Sequence, residues 1–352
     1  MYNKSILIMI LPLVLITFAT AGFKFPDGHD AVIQPAVMGI LECRFDDVLR
    51  FTDSVFLADS ENPLAATLHL AALGMRDVDF DTMADSAAFM RSFERAGDAV
   101  NAYEKIHGTN SYVMMLRGFV LGMHASFHLK NKSYFAAAGT GLDAIKAMKE
   151  AQKLDSTNTE VNFFLGLYDY GKADLKKRLP GVTFWLPGDK NTGIRLLEQC
   201  AQSAVLTGTA AKLALSDIYA GEGQAQKSRE IIFVLKKEIP NSRFLLWAEA
   251  KYFENQKMHA QAAAVYGRLA DSYDKGAVVR GKLADSYDKK APGKYNSAAT
   301  RNKQAHLHHR AGEKALAVNA CKLILELHGG DGDKRINAII KDTEKLLKRL
   351  ER

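Results

Sequence analysis

Apolar residues recur at three- and four-residue steps along most of the chain, the spacing that gathers them on one face of a helix. The run over 134–154 is typical, being rich in Ala, Leu, Met and Lys, all good helix formers. No stretch reads convincingly as a strand. The eight prolines are expected between helical runs, as at Pro63, Pro180, Pro187, Pro240 and Pro292, where a missing backbone donor does least harm. The pattern predicts an all-α chain.

One segment predicts how those helices are arranged. Tyr219, Ser228, Ile232 and Leu235 are followed 34 positions later by Phe253, Ala262, Tyr266 and Leu269. An aromatic, a small residue and two large apolar residues thus repeat in register. The first unit covers about 209–240, with Leu215 and Tyr219 on one helix, a break at Gly221 and Gly223, a second helix, and Pro240 as its end. The next unit covers about 242–273. A small residue in the second helix lets the pair approach closely, and the large residues beside it fill the groove between units.

A helical hairpin recurring every 34 residues is the tetratricopeptide repeat, and at these positions the chain resembles that family. Leu165-Gly166 matches the family's Leu-Gly pair in a first helix. Its second helix comes only after Gly188, with Gly193, Leu197 and Cys200 in phase. The segments 44–73 and 112–154 look like degenerate hairpins. Between 176 and 193 lies an insertion, KKRLPGVTFWLPGDKNTG. With its flanks it resembles a branch of bacterial repeat proteins related to tetratricopeptide repeat protein 39. The resemblance implies an α-solenoid, a right-handed superhelix of antiparallel hairpins, with an insertion loop around Pro180–Asp189.

Further on, LADSYDK occurs at 269–275 and again at 283–289. The first copy is expected to end one repeat and the second, with Tyr287, to end the next repeat's first helix. Ala311-Gly312 followed by Ala317, Cys321 and Ile324 suits another second helix. The polar-backed run over 331–352 suits a cap, which a solenoid needs on its open end. The expected organisation is a signal peptide over 1–21, degenerate hairpins over 22–157, repeats over 158–330 and a capping helix over 331–352.

The signal peptide is read from Lys4, an apolar run over 6–18, and Ala19-Thr20-Ala21 before Gly22. Export, to a bacterial periplasm, is the expectation, with an uncleaved N-terminal membrane anchor as the alternative. Three cysteines in helical patterns read as small buried side chains rather than a disulfide framework. The net charge is +7, and from Lys275 onward there are 18 Lys or Arg against 9 Asp or Glu. A solvated face is the plain reading of that basic end. Docking at an anionic membrane is the other, and in an exported protein nucleic acid is set aside.

Candidate chemistry is sparse. His124 and His128 lie four apart, but Ala125 stands where the zinc-protease pattern needs glutamate. His306, His308 and His309 form a second cluster beside Arg310. Gly139-Thr140-Gly141 reads as close helix packing. No nucleophile elbow, phosphate loop, dinucleotide fingerprint or Cys-x-x-Cys pair is present. No catalysis, metal or cofactor is expected, and a metal-dependent hydrolase using the histidine pairs is the rival reading. In the family, the inner faces of first helices line a groove that holds a protein or peptide partner. That phase, carried onto this chain, gives Glu160, Phe163, Leu167 and Tyr170, then Asp217, then Phe244, Trp247, Lys251 and Glu254. Packing between repeats is the alternative for their aromatics. The WLPGD loop, with Phe184 and Trp185, is placed to plug such a groove.

Overall fold

The computed structural model describes residues 23–60, 62–82, 85–178, 189–283 and 293–352, with 175–178 and 275–283 described by backbone alone. The expected signal peptide, residues 179–188 of the insertion with Phe184 and Trp185, and Tyr287 lie outside the described residues. Everything described is helix, turn or connection, without a strand. The first helices are α1 (Asp30–Leu41), α2 (Phe45–Ala58), α3 (Pro63–Phe80), α4 (Ser86–His107), α5 (Ser111–Lys130) and α6 (Tyr134–Leu154). A 3-10 turn over Thr159–Val161 leads into α7 (Asn162–Arg178), then α8 (Lys190–Ser203), α9 (Gly208–Gly221) and α10 (Ala225–Glu238). The rest are α11 (Arg243–Asn255), α12 (His259–Leu283), α13 (Lys294–Arg310), α14 (Lys314–His328) and α15 (Lys334–Leu350).

Each helix packs on its predecessor, and odd-numbered helices also touch: α1 on α3, α3 on α5, α7 on α9, α9 on α11 and α13 on α15. This is the packing of a helical-repeat fold. Starts are set by side chains that accept an otherwise unpaired first-turn N–H. Asn62 accepts from Ala65, Asn110 from Val113 and Ser242 from Leu245.

Turn geometry shows which helices pair. Cys43, Asp81, Lys132, Gly223, Lys257 and Gly312 all have φ between 47° and 77°. Each follows an odd-numbered helix, so one left-handed residue recurs in every described odd-to-even turn. Gly223 and Lys257 stand 34 residues apart, in the period of the echo. In the two echoed units the hairpins are α9–α10 and α11–α12. The segment 44–73 holds α2 and most of α3, which pack on one another.

Two further expectations are corrected. Pro35 lies inside α1, where Val32, Ile33, Ala36 and Ile40 are buried and their packing offsets the lost backbone bond. The first LADSYDK copy does not end a helix, since α12 runs on to Leu283 and the next first helix is α13. No proline interrupts the chain between Pro240 and Pro292, so nothing forces an earlier stop. Elsewhere the repeat signals coincide with the core. Ser228, Leu235, Ala262 and Leu269 are all fully buried. Gly166 and Gly193 let α7 and α8 cross closely: a Cβ on Gly166 would sit 2.8 Å from the Gly193 carbonyl oxygen. The three cysteines are free and buried, and burial pushes the Cys43 and Cys200 thiols up to about 12.

Candidate functional site: a cavity behind a buried ion pair

The row of helices curls until α3 meets α11, α12 and α13. Asp79, near the end of α3, is paired with Arg243 at the start of α11, 164 residues away. The guanidinium Nε donates to both carboxylate oxygens at 3.0 and 2.9 Å, and Nη2 reaches Oδ2 as well. The Asp79 side chain is fully buried and the Arg243 side chain is 9% exposed. Phe80 and Tyr273 bracket the cation at 5.1 and 5.2 Å. Tyr273 donates its hydroxyl to the Asp79 carbonyl at 3.1 Å, and Asn296 donates to the same oxygen at 2.8 Å. Two buried charges survive because each finds the other and the remaining polar atoms are mostly met.

Beside this clasp lies a cavity of about 850 Å³. Aromatic side chains dominate its wall: Phe163 from α7, Phe244 and Trp247 from α11, Tyr266 and Tyr273 from α12, and Tyr295 from α13. Met75 and Val78 of α3 close the opposite side. Two ion pairs stand among the rings. Lys251 meets Asp217 at 2.8 Å, joining equivalent positions of successive repeats, 34 residues apart. Lys303 meets Glu254 at 2.7 Å and donates to the Tyr266 hydroxyl at 2.7 Å. Tyr266 in turn donates to Glu254. Burial first, and then the Glu254 carboxylate, push the Tyr266 phenol far up, so it stays a neutral donor. Trp247 donates its indole N–H to the Tyr273 hydroxyl at 3.1 Å.

Six of the nine residues that the sequence points to line this cavity: Phe163, Asp217, Phe244, Trp247, Lys251 and Glu254. Glu160, Leu167 and Tyr170 do not. Glu160 is 2% exposed, and its carboxylate accepts the N–H groups of Val205, Leu206 and Thr207 at 2.7, 3.0 and 2.8 Å. It caps the entry to α9, so its place on a groove is withdrawn. Glu160 sits within the 3-10 turn ahead of α7 rather than on the helix itself. Tyr170 spans hairpins, donating to Glu222 at 2.8 Å, and Leu167 is half-exposed outside the cavity.

Sequence reasoning missed Tyr273, Tyr295, Asn296, Lys303 and the α3 residues as cavity walls. Tyr266 carried a signal, but as a repeat-core position. The contribution of α3 has no local signature, because it arises from contact across more than 160 residues.

No histidine or cysteine is among the described residues that line the cavity. The His124 and His128 rings lie 4.2 Å apart at a tilt of 38°, and Phe93 lies 4.1 Å from His124. His306 pairs with Asp342 at 2.8 Å and His308 with Glu313 at 2.6 Å. Among the described residues no three His, Cys, Asp or Glu side chains are grouped to hold a metal, and no helix is long and apolar enough to cross a membrane. No known family model matches the chain, and no curated protein matches it.

Proposed function

We propose that the chain is an exported, non-enzymatic adaptor of tetratricopeptide-like architecture, a right-handed superhelix that takes a segment of an envelope protein into its central cavity. The carrying observation is the cavity wall of six aromatic rings with two ion pairs set between them. Aromatic anchors in a recess supply most of the energy in protein recognition, and neighbouring charges set specificity and register. Trp247 is 38% exposed although its indole N–H is already bonded, which leaves its ring free to pack against an incoming side chain. The N-terminal charge, apolar run and A-x-A site support export.

The test is capture from a bacterial envelope extract with the wild-type chain, Trp247→Ala and Lys251→Glu. Specific capture that either substitution reduces supports the reading. Capture unchanged in both counts against it. Docking at an anionic membrane through the basic C-terminal region is the second reading. It draws on α15, which buries Ile336, Leu346 and Leu350 and turns Lys345, Lys348 and Arg349 outward. Its apolar stripe is consumed inside the fold, so any such contact is electrostatic and fades as salt is raised.

A further inference from the structure

A second cavity, of about 490 Å³, lies between α2, α3 and α4 and shares no lining residue with the first. Three guanidinium groups line it: Arg76, Arg91 and Arg95. Its acids are already engaged. Asp53 accepts from Arg95 at 3.0 Å and lies 3.4 Å from the His69 ring, while Asp85 accepts the Ala88 N–H at 2.7 Å as the cap of α4. Arg91 forms no ion pair among the described residues and is exposed. The Nε and Nη2 of Arg95 are buried without any hydrogen-bond partner, and the guanidinium lies over the Phe56 ring at 4.9 Å. Buried charged donors left unmet are costly, and native structures seldom keep them without a ligand, ion or water to satisfy them.

The remaining wall fits a specific kind of molecule. Leu49, Leu73 and Ala88 give it an apolar side. Ala88 sits in the first turn of α4, a helix of 22 residues whose N-terminal end favours negative charge. His69 and Ser92 are joined at 2.9 Å, which fixes the imidazole beside the arginines.

We propose that this cavity binds a small phosphate monoester, with its dianionic head between Arg91 and Arg95 and its organic part against Leu49 and Leu73. Arg91 and Arg95 stand one turn apart on α4, and two guanidinium groups suit a tetrahedral dianion, whereas one fork satisfies a carboxylate. The volume is far larger than a bare phosphate group, so an organic substituent has room. The site stands independently of the adaptor reading.

Titration calorimetry at low salt with inorganic phosphate and phenyl phosphate tests it. The expected result is saturable one-to-one binding in which phenyl phosphate is the tighter. Arg91→Ala, at an exposed position, should weaken binding at least tenfold. Arg95→Lys, which keeps the charge but loses the fork, should lose a similar factor, and Arg229→Ala on exposed α10 should lose nothing. A response that fails to saturate in the wild-type protein overturns the proposal. So does Arg91→Ala binding as wild type, or Arg229→Ala losing as much as Arg91→Ala. Co-sedimentation with phosphatidic acid vesicles without any response to phenyl phosphate would reassign the patch to a membrane and equally overturn it.

Discussion

Asp79 and Arg243 illustrate how much one buried pair can carry. Removing one partner strands the other charge in the interior, a change that typically costs about 3–5 kcal/mol, while replacing both by apolar residues is often near neutral. Asp79→Ala should therefore lower unfolding stability by about that amount in urea denaturation. Asp79→Leu combined with Arg243→Met should recover most of it. His69 sets a second expectation at this scale. Burial first, and then the positive charge of Arg95, hold its imidazole down to about 4, against the pull of Asp53. The unfolded chain takes up a proton near its ordinary value of 6.5 that the folded protein refuses. Stability from this group is thus complete above pH 6.5 and lost as the pH falls from there to about 4, a loss on the order of 3 kcal/mol. Denaturation midpoints measured across that range should fall less steeply in His69→Gln than in the wild type. Neither residue was legible as important beforehand. Asp79 lacks a local pattern, and His69 acquires its role only when α2 and α4 close over it.

The hairpin is the unit whose rules repeat. Every described odd-to-even turn puts one residue into left-handed backbone, whether glycine or not. Lys257 occupies that position with φ 56°, where a Cβ is strained. Its side chain is exposed, so Lys257→Gly loses little contact and relieves the strain, although it also loosens the unfolded chain. A net gain of about 0.5–1 kcal/mol is expected, measurable as a raised thermal midpoint.

Local patterns of this kind are what a sequence displays well. Tyr219, Ser228 and Leu235 repeat because each unit buries the same face against its neighbour, and Leu165-Gly166 with Gly193 marks a close crossing. The first LADSYDK copy misled, because its residues carry α12 on to Leu283 rather than ending it. Glu160 misled for another reason: it lies in a 3-10 turn, and its carboxylate is taken up by the backbone N–H groups ahead of α9.

At the scale of the whole molecule, the row of hairpins is joined to itself. An open solenoid has only neighbour contacts, so its stability is roughly a sum of local terms and its ends can fray alone. Here α3 is held by α11, α12 and α13, and Arg335 of α15 reaches Asp81 at 3.2 Å. The cavity exists because of that closure, since α3 forms one of its walls. Breaking the clasp should therefore be felt on both sides of it. In Arg243→Ala, amide hydrogen exchange should accelerate in α3 as well as in α11–α13, while α5 and α6 keep their protection. Acceleration confined to α11 would mean that the pair is local.

The clasp also bears on the order of folding. Hairpins can form one after another from local contacts, but a bond between residues 79 and 243 must wait until the intervening helices have been laid down. The last event in folding becomes a ring closure, and the gain it brings is shared by distant helices that would otherwise melt separately. Helices far apart in the chain are thereby coupled, so that α3 and α11–α13 hold or fail together.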